Sequence, residues 1–171
     1  SFSIRALAHR FGTSLIPVRD ALKRLVAERG LAMLRNRTVC VPLMTRLRFQ
    51  ELLQVRLSLE TMLARRATDL ISDAGIGELE AINGEMQAGV DADAVKRYLA
   101  ANNRFHFRLY TAAMSTVALP VVESLWIQAG PFLNAVFNHQ GTRNARDNHA
   151  EVLKALRRRD SVAVAKAIGS D

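Results

Sequence analysis

IRALAHRFGTSLIPVRDALKRLVAERG, residues 4–30, decides how the chain begins to fold. Ile4, Leu7, Ala8 and Phe11 stand at i, i+3, i+4 and i+7, the period of an amphipathic helix. Gly12 offers the left-handed residue that stops it, and Thr13 or Ser14 can cap a second helix. Pro17 is tolerated there because it lies in the first turn. Val18, Ala21, Leu22, Leu25 and Val26 then repeat the helical spacing. Two short helices across a tight Gly-containing turn form a helix-turn-helix. After Gly30 the period changes: residues 31–34 and 39–41 read as short strands around the polar tip Arg35-Asn36-Arg37-Thr38, and Pro42 closes the second. A basic hairpin in that position is a wing.

Charge follows the same division. Residues 1–50 hold ten of the 24 basic side chains and only two of the 16 acids, Asp20 and Glu28. Residues 51–171 hold fourteen of each sign, so the whole surplus of +8 sits in the first fifty residues. Such a localised excess attracts a polyanion; a merely soluble basic face is the plainer alternative. On the recognition helix Leu15, Arg19 and Lys23 lie four apart, opposite Val18, Leu22 and Leu25. Arg19 can donate two hydrogen bonds to a guanine edge. Ser14, Lys23, Arg35 and Arg37 complete the expected DNA-contacting set, the three cations on phosphates, which position without reading sequence.

From Thr45 onward only helical periodicity appears. Thr45 caps a long helix to about residue 71, with Phe49, Leu52, Leu53, Leu59 and Leu63 available for burial. Gly75 and Gly77 are expected to bracket the next start, and Gly89-Val90-Asp91 to punctuate before a helix over about 93–114. Pro120 falls in the first turn of another, which Pro131 is expected to kink or end. Residues 138–146 read as a loop, Asp147 or Asn148 opens a further helix, and Asp160 caps the last. The expected fold class is therefore mainly α: a winged helix-turn-helix in 1–44, then an all-α bundle of about six helices in 45–171.

Composition sets the outer bounds. With 49% apolar residues a well-buried core is within reach. The single cysteine, Cys40, allows no internal disulfide, and a reducing, cytoplasmic location is expected. In a wing strand Cys40 reads as a small buried apolar residue rather than a redox sensor. No apolar run approaches the roughly 20 residues of a membrane span. Ser1 reads as an internal start, with native sequence expected upstream. His9 and His139 read as surface or loop histidines.

These stretches together resemble a known family. Residues 4–14 and the run Pro17-Val18-Arg19-Asp20-Ala21-Leu22 resemble the DNA-binding domain of GntR-family regulators. Arg56 and Glu60 in VRLSLE, with NNRFHFRLY (102–110) and NHAEVLKALRRRD (148–160), resemble the FadR-type C-terminal ligand domain, FCD. Two departures stand out: the polar pair usual before Pro-Val-Arg is Leu15 and Ile16, and the glycine usual at the wing tip is Thr38. The family's operator therefore does not carry over.

The resemblance implies a metal site. Asn102 and His106 share one helix face four residues apart, and His149 lies on a later helix. These three match the family's ligands, whereas Asp171, 22 residues beyond His149, stands where a third histidine is usual. Two imidazoles and two oxygens suit Zn²⁺, Mn²⁺ or Ni²⁺. The plainer reading makes His106 and His149 hydrogen-bonding residues of a metal-free pocket. Arg56, Phe105 and Trp126 are the expected effector-pocket residues, although a lone Trp in a bundle is often plain core. The function implied is a ligand-responsive, non-enzymatic transcriptional regulator. Its partners would be double-stranded DNA, a small carboxylate and a second copy of itself, with no membrane and no organic cofactor. The rivals are a metal-dependent enzyme built on the Asn102/His106/His149/Asp171 cluster and a constitutive DNA-binding scaffold.

Overall fold

The Ser3 hydroxyl accepts from the Ala6 amide and starts α1, Ile4–Phe11, in the computed structural model, which describes residues 3–36, 38–140 and 148–171 without the side chains of 138–140. Gly12 ends α1 in the left-handed conformation at φ 60°, as its sequence position required. Ser14 begins α2, Leu15–Ala27, without a side-chain cap hydrogen bond. Ala8, Val18, Leu22 and the wing residue Val39 form a small core of their own. The wing pairs β1, Ala32–Met33, antiparallel with β2, Val39–Cys40. Both strands are shorter than the sequence suggested, because Leu34 closes back to the Thr38 carbonyl as a turn. Arg37 lies outside the described residues.

Thr45 caps the longest helix, α3, Arg46–Leu70, through its hydroxyl and the Arg48 amide. Leu52, Glu60, Leu63, Ala64, Ala67 and Thr68 are its buried side chains, all on one face of the helix. Behind it come α4 (Asp73–Asp91), α5 (Val95–Ala112), α6 (Ala118–Gln140), α7 (Asn148–Arg157) and α8 (Ser161–Gly169). The main core joins Leu63, Ile76, Leu79, Phe105, Leu109, Val122, Val152, Leu156 and Val164 from all six helices. Among the described residues no helix is long and apolar enough to cross a membrane.

Three expected boundaries are displaced. Helix α4 starts at Ser72, whose hydroxyl accepts from the Gly75 amide, and runs on through Gly89. Gly89 is there for proximity, not for a break: a Cβ would stand 3.0 Å from the Tyr98 amide nitrogen of α5. Pro131 does not end α6, which continues to Gln140. An internal proline costs about 3 kcal/mol. Trp126 and Ala129 before it and Leu133, Val136 and Phe137 after it line one cavity, and that shared packing keeps the helix going. The expected loop at 138–146 begins later than its first residue, because α6 extends through 140, and 141–147 lie outside the described residues.

Candidate functional site

A cavity of about 510 Å³ opens between α3, α5 and α6, closed at one end by α7 and α8. Arg56, Asn102, His106, Trp126 and Asp171 are on its wall. Phe105 is not. It is fully buried behind the histidines, edge-on to His149 at 4.7 Å between ring centroids, and its role is to hold that ring.

Glu60 organises the polar end. Its carboxylate is buried and accepts from Arg56 Nε at 2.6 Å, Tyr110 Oη at 2.7 Å and Trp126 Nε1 at 3.1 Å. The Arg56 guanidinium also lies over the Trp126 ring, 4.4 Å from its centroid. Burial, then the charge and hydrogen bond of Glu60, push the Tyr110 hydroxyl well above its ordinary value of 10.0. Tyr110 therefore stays protonated and donates to Glu60.

That assignment fixes the next proton. With its hydrogen committed to Glu60, the Tyr110 oxygen accepts from His106 Nδ1 at 3.0 Å. A neutral His106 then turns a bare Nε2 lone pair toward Asp171 Oδ2 at 3.0 Å and His149 Nε2 at 3.2 Å. One ligand atom from each of His106, His149 and Asp171 lies within 4.8 Å of the others. Burial alone would raise the Asp171 carboxyl. When the imidazoles carry a proton, the hydrogen bond from His106, the charges of His106 and His149, and the Asn148 hydrogen bond outweigh it and hold the group below its ordinary value. The side chain of Asp171 is only 18% exposed.

Acceptors 3 Å apart repel unless a proton or a cation lies among them. Two imidazoles and a carboxylate, with the tautomer of one imidazole set by a Glu60–Tyr110 chain behind it, are the donors and the outer support that a divalent transition metal takes. The alternative is an imidazolium at His106 donating to Asp171. Asn102 lines the same cavity one turn before His106, where it can face either a metal or a ligand.

The wall helices also carry the winged unit. Arg48 of α3 donates to the Arg29 carbonyl and to Gln128 Oε1 of α6, both at 3.2 Å. Ser124 of α6 donates to the Glu28 carbonyl at 3.3 Å. Arg29 takes a left-handed φ of 60° to turn the chain into this contact. At Gly30 a Cβ would overlap Ile127 Cγ2, so any larger residue there must displace that side chain of α6. Leu52 lines both the cavity and the junction groove. Sequence reasoning did not find this junction. Its signals were Gly30 just past α2 and Arg48 just inside α3.

On the winged unit Arg19, Lys23 and Arg35 are exposed, and Val18 and Leu22 are buried beneath them. Lys23 pairs only loosely with Asp20, at 3.9 Å.

Comparison with known proteins agrees with this arrangement. The model of the FCD domain family matches residues 51–170. HTH-type transcriptional regulator McbR of Escherichia coli K12 is 26% identical over 157 residues, covering 90% of this chain and 71% of McbR. HTH-type transcriptional repressor RspR of the same organism is 25% identical over 168 residues, 97% of this chain and 73% of RspR. The solved structure of E. coli McbR/YncC superposes with a TM-score of 0.91 at 23% identity over 98% of this chain and 80% of that one. A GntR-family transcriptional regulator from Pseudomonas syringae pv. tomato DC3000 gives 0.65 at 20% identity over 99% and 71%. The chain belongs to the FCD-domain branch of the GntR family of transcriptional regulators.

Proposed function

We propose that this regulator binds double-stranded DNA as a homodimer through its basic winged unit, and that a carboxylate held in the bundle cavity beside a divalent metal controls the binding. The observation that carries the reading is the sharing of helices: α3 and α6 wall the cavity and hold the winged unit at Arg29 and Gly30.

Arg19 reads a base edge in the major groove, and Lys23 and Arg35 neutralise phosphates. Ser14, whose hydroxyl caps nothing within its own helix, adds a donor at the helix start. Arg37, on the wing tip, belongs to the phosphate set by charge alone. A dimer places two such units on two half-sites, which supplies affinity that one short module lacks.

His106, His149, Asp171 and, one turn away, Asn102 would hold Zn²⁺, Mn²⁺ or Ni²⁺. When bound, the ion supplies positive charge to a cavity whose charged side chains, Arg56, Glu60 and Asp171, otherwise sum to a negative value. An anionic ligand is then favoured. The cluster is a sensing site rather than a catalytic one: among the described lining residues the other carboxylate, Glu60, is committed to three donors and offers no general base. Ligand contact with α6 near Trp126 moves the same helix that bears Ser124, Ile127 and Gln128, and so the seat of the winged unit.

Elemental analysis of His106→Ala and His149→Ala tests the metal. Each should lose the bound ion found in the parent chain, and a chelator should weaken carboxylate binding. Equal carboxylate affinity with and without metal would refute the metal's role.

A further inference from the structure

The cavity has a direction. On α3 its wall runs from Phe49 to Glu60, eleven residues, or about 16 Å at 1.5 Å per residue. On α6 it runs from Trp126 to Phe137, the same distance in the opposite sense. Contacts fix the two ends: Trp126 bonds Glu60, whereas Phe132 meets Phe49 with ring centroids 4.9 Å apart. Helix α5 follows the same axis, with His106 at the Glu60 end and Tyr98 against Phe137 at the other, 5.3 Å between centroids. Spread over about 16 Å, a volume of 510 Å³ gives a cross-section of about 30 Å², a slot rather than a globe.

The ends differ in chemistry. Glu60, His106 and Asp171 crowd one. The other is walled by Phe49, Leu53, Tyr98, Leu133, Val136 and Phe137, with no charged group among the described residues. A hydroxyl or second carboxylate placed there trades its water for a mostly apolar wall in which the Tyr98 hydroxyl is the main polar group among the described residues, and so binds less well than a methylene. A methylene placed there gains about 0.8 kcal/mol.

From this, and resting on the reading of the cavity as an acid-binding site, we propose that the effector class is an elongated monocarboxylate with an apolar tail. Its head lies at the His106/Asp171 end and its tail lies between Phe49 and Phe137. Polyhydroxy acids and di- or tricarboxylates suit the tail end less well than an alkyl chain does. The tail also lies against the Leu52 stretch of α3, whose outer side forms the junction with the winged unit.

The test is a ladder of straight-chain acids, acetate, butyrate, hexanoate and octanoate, with citrate and gluconate alongside. Binding to the metal-loaded full chain is read by calorimetry and by emission of Trp126, the chain's single tryptophan. Affinity should rise about fourfold per methylene, which is 0.8 kcal/mol in fold-change. Leu53→Asn should weaken octanoate about tenfold and leave acetate unchanged. Leu53 is 40% exposed, so a polar residue there leaves folding intact, and an unshifted melting temperature checks this. A flat ladder, or citrate or gluconate tighter than octanoate, overturns the ligand class while the acid-binding site stands. If no acid in the set binds, and His106→Ala behaves as the parent, the site reading falls and this inference falls with it.

Discussion

Glu60→Gln is the sharpest perturbation of the site. In the folded chain the Glu60 carboxylate is 5% exposed and accepts three hydrogen bonds, one from a guanidinium whose side chain is 16% exposed. The amide is isosteric but has one acceptor oxygen and turns an NH₂ toward donors. It also leaves the Arg56 charge uncompensated. Breaking a buried ion pair by removing one partner costs about 3–5 kcal/mol. Arg56 keeps some solvent and the face of Trp126, so the lower end, about 3 kcal/mol, is expected. For a chain of this length that lowers the melting temperature by about 6–12 °C. Arg56→Met should cost less, because Glu60 keeps Tyr110 and Trp126. The double variant should cost well less than the sum of the two single costs, since it removes the orphaned cation. Urea unfolding followed by Trp126 emission measures all three. A loss under 1 kcal/mol for Glu60→Gln, or strict additivity, would refute the view that this pair organises the cavity.

Gly30→Ala should loosen the winged unit, because its methyl would overlap Ile127 Cγ2. Overpacking of this kind costs about 1–3 kcal/mol. Adding Ile127→Ala should return most of it, and a double-mutant cycle with no coupling would contradict the junction. Tyr110 has a folded pKa above its unfolded one, so its contribution is full below about pH 10 and fades as pH rises toward the folded value. Tyr110→Phe should be less stable than the parent at pH 7 by about 1–3 kcal/mol. The gap should narrow above pH 10, which alkaline unfolding curves can check. Arg19→Ala should cost about 1–3 kcal/mol on the chain's own upstream DNA and little on unrelated sequence. Equal losses on both would move Arg19 to the phosphate set.

The winged unit was legible because its signals are local. Gly12 needs a left-handed φ, Val18 and Leu22 repeat at helical spacing, and a basic tip separates two short apolar runs. The pairing of His106 with His149 and Asp171 was legible only through resemblance, since spacing alone does not bring residues 43 and 65 positions away to one point. The Glu60–Tyr110–Trp126 network was not seen at all. Its partners lie on three helices, and the one local signal was Arg56 and Glu60 four apart, an acid on the stripe that buries Leu52 and Leu63. Gly89 does not break α4 and Pro131 does not end α6, for the same reason. Both usually break helices, yet here close approach of α5 and a shared cavity wall outweigh local preference.

Linkage between the cavity and DNA is the central claim, and one titration tests it most directly. Affinity of the metal-loaded chain for its own upstream DNA is measured with and without each acid of the ladder, in the parent and in His106→Ala. The account predicts that at least one acid changes DNA affinity by about 5- to 150-fold, the span of a coupling of 1–3 kcal/mol. It also predicts that the change disappears in His106→Ala. An unchanged affinity with every acid that binds the cavity, or an effect that persists undiminished in His106→Ala, would contradict it.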